Sequence, residues 1–250
     1  MAFIEANFFS NALQEAVSLY AIVPDAGKGP FPVYYLLHGL SDDHTIWMRR
    51  TRIECYVSNL PLVVVMPNGF RGFYTDNDAG PAYGRYMLED VLGFAERTLP
   101  IRGTRASRCI GGLSMGGYGA IRLALAHPEL FISANSHSGA FAPFALPGRP
   151  KSPEFSRMFG PHPEGTAHDV FSLAATLKRA GKRIPHLRID CGTEDFLLQS
   201  NRDFHAHLSK LKIAHQYAEH PGTHEWDFWD EHVREALAFH AKALGLKAKA

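Results

Sequence analysis

The strongest constraint on the fold is a series of short apolar runs at residues 17–23, 33–38, 62–66, 108–113, 132–137, 187–191 and 213–218. They are rich in β-branched and aromatic residues. Several are apolar almost throughout, which is the pattern of strands buried on both faces of a parallel sheet. Between them the spacing predicts helices over residues 51–59, 83–99, 115–127, 196–211 and 229–244. Strands alternating with helices imply an α/β fold with a mostly parallel sheet, its first strand or two pairing antiparallel at the edge. At 46% hydrophobic residues, the 250-residue chain can bury a sizeable core, and residues 1–250 are read as one domain.

Residues 141–165 break this rhythm. They hold six prolines and four phenylalanines, among them Phe141, Phe144, Phe155 and Phe159. Such a stretch is poor in regular structure. Because it falls between two predicted strands, it reads as a small cap inserted over the sheet.

Charge narrows the partners. The 26 basic and 25 acidic residues nearly cancel, and no basic block stands out, so nucleic acid is not an expected partner. The tail at Lys247 and Lys249 reads as a frayed end. No apolar run approaches the length needed to cross a bilayer, so no membrane partner is expected. The opening residues lack a charged segment followed by an apolar one, so no secretory signal is read there. Cys55, Cys109 and Cys191 form no CxxC pair and read as free thiols in a reducing cytoplasm. The sequence leaves homo-oligomer formation open.

One pattern carries chemistry. Gly112-Leu113-Ser114-Met115-Gly116 is a G-x-S-x-G string, weak on its own in a chain with 22 glycines. Its setting makes it informative: a predicted strand precedes it and helix formers follow. A strand that turns sharply into a helix lifts Ser114 from the carboxyl edge of the sheet, where ligands bind in such folds. Side chains two residues away on either side would clash, which explains Gly112 and Gly116. The helix start directs free N–H groups and the positive dipole end at a reacting carbonyl, so the Met115 N–H is an expected oxyanion donor. A second donor is expected from the loop after 33–38, where Gly39 allows close approach and Leu40 N–H is the candidate. His38 reads as a loop-shaping residue.

In this arrangement an acid and then a histidine follow the serine along the chain. Behind the run 187–191, Asp190, Glu194 and Asp195 compete. Asp190 lies inside the strand and Glu194 reads as solvent-facing, which favours Asp195. Behind 213–218 lie His220 and His224, and His232 follows. His224, in a loop shaped by Pro221 and Gly222, is favoured as the base. No HExxH or comparable ligand spacing appears, and His205 and His207 do not share a helix face, so no metal is expected.

Taken together, Leu36-Leu-His-Gly-Leu40 with Trp47, Gly112-Leu-Ser-Met-Gly-Gly-Tyr-Gly-Ala120, His127-Pro-Glu-Leu-Phe131, Cys191-Gly-Thr-Glu-Asp-Phe196 and Pro221-Gly-Thr-His224 resemble the esterase D-like branch of the α/β-hydrolases. Phe70-Arg-Gly-Phe-Tyr-Thr-Asp76 and Tyr83-Gly-Arg-Tyr86 resemble its small tributyrin-esterase type. S-formylglutathione hydrolases typically carry a different segment where this chain has Met66-Pro-Asn-Gly-Phe-Arg-Gly72. The resemblance implies the α/β-hydrolase fold and a Ser114–His224–Asp195 triad with Leu40 and Met115 at the oxyanion. It also implies hydrolysis of small esters without a cofactor: short acyl chains, including acetyl or feruloyl sugar esters, with a thioesterase or acyltransferase as the alternative. Trp47, Phe73, Tyr74, Tyr118 and Phe141 in the insertion are the candidate substrate-pocket residues.

Overall fold

The computed structural model describes residues 1–146 and 152–246. Lys247, Lys249, Pro147 and Pro150 lie outside the described residues. The chain builds one eight-stranded sheet from β1 (Ala2–Ser10), β2 (Glu15–Val23), β3 (Val33–Leu37), β4 (Val63–Pro67), β5 (Arg108–Leu113), β6 (Ser133–His137), β7 (His186–Gly192) and β8 (His215–His220). The spatial order is β1-β2-β4-β3-β5-β6-β7-β8. β1 pairs antiparallel with β2, and β2 with β4; every later pair is parallel.

The helices are α1 (Ile46–Arg50), α2 (Ile53–Val57), α3 (Tyr83–Arg85), α4 (Leu92–Thr98), α5 (Met115–Ala126), α6 (Pro153–Phe159), α7 (Val170–Arg179), α8 (Leu198–Lys210) and α9 (Trp226–Ala243). A π-helical stretch, Tyr86–Val91, joins α3 to α4 in one rod. Alternate strand residues explain the layers. Val33, Tyr35 and Leu37 of β3 join a core with residues of α4, α5, α7 and α8. Tyr34 and Leu36 face the other way, into a core with α1, α2 and α9. All five residues are fully buried. Each large apolar side chain so buried contributes about 1.5–3 kcal/mol, which is why the central strands are apolar on both faces.

Five departures from the sequence reading stand out. β1 was not expected. It is an edge strand with alternating partial exposure, so it lacks the continuous apolar run. α7 follows an Asp169 cap whose side chain accepts from Phe171 and Ser172 N–H; it too was not expected. The insertion is not wholly irregular: Pro153 sits in the first turn of α6, where a missing N–H costs nothing. β8 begins two residues later than read and runs to His220, because Lys212 turns in the left-handed region and Ile213 caps α8 by donating to the Leu208 carbonyl. His220 is therefore a strand residue. α9 starts three residues earlier than read, only one residue past Glu225.

Candidate active site

Ser114 stands between β5 and α5 at the carboxyl edge of the sheet's centre. Its backbone is at φ 53°, ψ −113°, a conformation a side chain rarely adopts. The surroundings enforce it. The Ser114 N–H donates to the His137 carbonyl at 2.9 Å, and its own carbonyl accepts from Tyr118 and Ala140 N–H at 3.0 and 3.2 Å. A β-carbon on Gly112 would lie 2.5 Å from the Leu37 carbonyl oxygen, and one on Gly116 would lie 2.6 Å from the carbonyl oxygens of Leu37 and His38. The two glycines are thus required by close approach of β3's end.

Asp195 follows β7 and His224 follows β8, so the parallel pairing of these neighbours sets their loops side by side. Asp195 is 5% exposed. Burial alone would raise its carboxyl, but the hydrogen bond and charge of His224, with the Leu197 N–H, hold it below the usual value. An ionised carboxylate only accepts, so His224 Nδ1–H donates to Asp195 Oδ2, at 2.8 Å. That leaves His224 Nε2 as an acceptor, and the Ser114 hydroxyl donates to it at 3.1 Å. The other Asp195 oxygen accepts the Leu197 N–H at 2.8 Å.

Glu194 is exposed, as read, yet it is also tied to the neighbouring loop. Its carboxylate accepts the Gly222 N–H at 2.7 Å, and its own N–H donates to the Gly222 carbonyl at 3.0 Å. This stitches the Asp195 loop to the His224 loop. Trp229 braces the imidazole edge-on at 4.9 Å while its Nε1–H donates to the Ser138 hydroxyl at 3.3 Å. Asp190 points away from this group: His137 contacts it at 2.7 Å in a fully buried pair. His38 is also buried. It accepts the Gly69 N–H at Nε2 and donates from Nδ1 to the Gly39 carbonyl, both at 2.8 Å. Desolvation lowers it to about 4, so it is neutral and shapes the loop.

Ser114 and His224 open into a cavity of about 540 Å³. Leu40, Phe73, Leu113, Ala140, Leu146 and Phe196 give it apolar walls, with Asp42, Arg50, Glu225, Trp226 and Asp227 also lining it. Leu40 N–H has no hydrogen-bond partner among the described residues. Met115 opens α5, so its N–H has no acceptor within the helix. Asp42 is half-buried, and desolvation together with the Asp43 charge pushes it up to about 6.

Four expected pocket residues are corrected. Trp47, Tyr74, Tyr118 and Phe141 are fully buried core, and none lines the cavity. Trp47 Nε1–H donates to the Leu37 carbonyl, and its ring stands behind Trp226 at 5.3 Å. The Tyr74 and Tyr118 hydroxyls are spent on the carbonyls of His38 and His168. Phe141 packs on Phe204 at 4.4 Å. Phe73 does reach the cavity. The wall residues Phe196 and Trp226 were missed, although each lies within two positions of Asp195 or His224. No charge or spacing rule separates them from ordinary aromatics.

The Esterase family model matches residues 10–240. The chain belongs to the esterase family. An acetyl esterase of Caldicellulosiruptor saccharolyticus is 30% identical over 263 positions, covering 97% of this chain and 99% of its own length. Among solved structures, fluorophosphonate-binding serine hydrolase F of Staphylococcus aureus superposes with a TM-score of 0.88 at 33% identity, covering 95% of this chain and 97% of that one. An S-formylglutathione hydrolase of Staphylococcus aureus gives 0.87 at 32%, covering 95% and 98%. A ferulic acid esterase, at 22% identity and a TM-score of 0.82, shares the fold. This esterase is a carboxylic ester hydrolase of the serine type with an α/β-hydrolase fold. No helix among the described residues is long and apolar enough to cross a membrane.

Proposed function

We propose that this esterase hydrolyses short-chain acyl esters through an acyl-enzyme on Ser114. The observation that carries the reading is the unbroken hydrogen-bond line from Ser114 and His224, which line the cavity, to the buried Asp195. His224 removes the serine proton as Ser114 Oγ attacks the ester carbonyl. Asp195 fixes the tautomer that makes Nε2 the acceptor and stabilises the imidazolium that forms. The Leu40 and Met115 N–H groups donate to the oxyanion, each such donor being worth about 3 kcal/mol in the transition state. His224 then protonates the leaving alcohol, and water releases the acid by the same steps. This chemistry needs no cofactor.

The short-acyl assignment rests on the cavity's volume and on the apolar side chains of Phe73, Ala140 and Leu146 that line it. The polar rim of Asp42, Arg50, Glu225 and Asp227 beside Trp226 suits a hydroxyl-bearing alcohol, as in acetyl or feruloyl sugar esters. The test is a p-nitrophenyl ester series with Ser114→Ala as control, alongside fluorophosphonate labelling. We expect acetate or butyrate to exceed palmitate and label to appear on Ser114. Faster palmitate turnover overturns the chain-length assignment, and an unlabelled Ser114 overturns the mechanism.

A second reading, thioester hydrolysis or acyl transfer on the same triad, is favoured by the likeness to S-formylglutathione hydrolases. S-formylglutathione turnover and product analysis with added alcohols separate the two. The three unpaired cysteines, two of them buried, suit a reducing cytoplasm.

A further inference from the structure

Three side chains converge where β8 meets α9, outside the catalytic line. His220 is the last residue of β8, and His232 and Glu235 lie three apart on one face of α9. One donor atom from each lies within 4.8 Å of the other two. Glu235 Oε1 stands 3.1 Å from His232 Nδ1 and 3.8 Å from His220 Nε2. In a tetrahedral zinc site, bonds of about 2.0–2.1 Å set ligand atoms about 3.3 Å apart. The two separations from Glu235 Oε1 thus bracket that spacing.

The cluster has further marks of a site. His220 Nε2 is shielded from solvent and has no hydrogen-bond partner among the described residues. The two imidazoles stack at 4.1 Å with 17° between planes, and Phe228 packs on His232 at 4.3 Å, so one ring must turn out of the stack before both in-plane lone pairs meet one ion. The second Glu235 oxygen is held by Arg188, the outer support that ligating carboxylates commonly have. Glu235 is itself partly exposed, so an ion and its water can reach the group.

We propose that His220, His232 and Glu235 bind one first-row divalent cation of the zinc type, with water completing the coordination. Two imidazoles and one carboxylate suit Zn²⁺ or its neighbours; Ca²⁺ and Mg²⁺ prefer all-oxygen sets. A His232 that binds through Nδ1 does so as the neutral tautomer with its proton on Nε2, giving up its contact with Glu235 Oε1 to the ion. The ion takes no part in ester chemistry. Its ligands flank the segment that carries His224, so it ties the strand entering that loop to the helix leaving it.

The test uses the full chain, stripped of metal by chelation and titrated with ZnCl₂ in a calorimeter at neutral pH, with Co²⁺ absorption in parallel. One ion per chain is expected, with Co²⁺ bands of a four-coordinate site. His220→Gln and Glu235→Gln should each weaken binding by about tenfold or more, while retaining metal-free ester turnover. Zn²⁺ should slow hydrogen exchange over residues 221–231 in the unaltered chain and not in either variant. Ser114→Ala should bind as the unaltered chain does, so the outcome is separate from the esterase mechanism. The proposal is overturned by absence of saturable binding at millimolar Zn²⁺. It is equally overturned by binding that survives both variants and vanishes in His224→Gln, which would put the ion on the catalytic group.

Discussion

Asp195→Asn tests the reading of the site most sharply, because the structure dictates how the new amide must sit. One carboxylate oxygen accepts the Leu197 N–H at 2.8 Å and the other faces His224 Nδ1 at 2.8 Å. If the amide NH₂ turned toward Leu197, two donors would meet. The amide oxygen therefore keeps Leu197, and the NH₂ donates to His224 Nδ1. That moves the imidazole proton to Nε2, which then faces the Ser114 hydroxyl at 3.1 Å as a donor and can no longer accept its proton. The shape of the site is preserved and the base is lost. By analogy with the same exchange in serine protease triads, kcat should fall by about 10⁴, or roughly 5 kcal/mol of transition-state stabilisation. The assay is steady-state hydrolysis of p-nitrophenyl acetate, with circular dichroism and thermal melting to verify the fold. Imidazole nitrogen shifts by NMR would report the tautomer. A folded Asp195→Asn enzyme with kcat within about tenfold of the original would refute the reasoning, since it would mean that Asp195 does not set the tautomer of the working base.

Other outcomes follow from the same geometry. Gly116→Ala, whose β-carbon would press on two carbonyl oxygens at 2.6 Å, should cost about 3 kcal/mol in urea unfolding; a loss below about 1 kcal/mol would show that the elbow can relax. Glu194→Ala removes the stitch to Gly222, so kcat should drop while the melting temperature barely moves. If instead activity is unchanged, the two loops hold their positions without it. His38 is neutral in the fold, lowered by burial to about 4. Its depressed folded value means the unfolded chain binds the proton first on acidification. Stability is thus full above about pH 6.5 and is lost as pH falls toward 4, by about 3 kcal/mol from His38 alone. Urea midpoints that stay flat from pH 7 to pH 5 would contradict this. Phe196, 70% exposed and 4.6 Å from His224, should matter to substrate and little to stability. Phe196→Ala should raise KM for aryl esters more than for methyl esters, as read from paired Michaelis curves.

The sequence disclosed features whose cause is local. Both-face burial makes β3, β4 and β5 apolar, and the close approach of Leu37 and His38 demands Gly112 and Gly116, so these left plain marks. The positions of Asp195 and His224 followed from strand order. What escaped depended on tertiary partners. β1 shows no continuous run because it has a neighbour on one side only. Trp47 and Tyr118 look like pocket aromatics in sequence, yet their polar tips are taken by carbonyls inside the core. Glu194 is a surface acid as the sequence suggests, and its bond to Gly222 is seen only once the β7–β8 pairing brings the two loops together. Trp226 and Phe196 were hidden because wall residues obey no spacing rule.

The order of the strands has a consequence for synthesis. Ser114 sits on β5, midway along the chain, while His224 waits behind β8, which must pair with β7 before its loop reaches the serine. A nascent chain emerging from the ribosome therefore carries the hydroxyl long before the histidine that would activate it. On the proposed mechanism, a partly made copy therefore lacks its base. If His224 is that base, regained activity in refolding is a clock for the docking of β8 on β7.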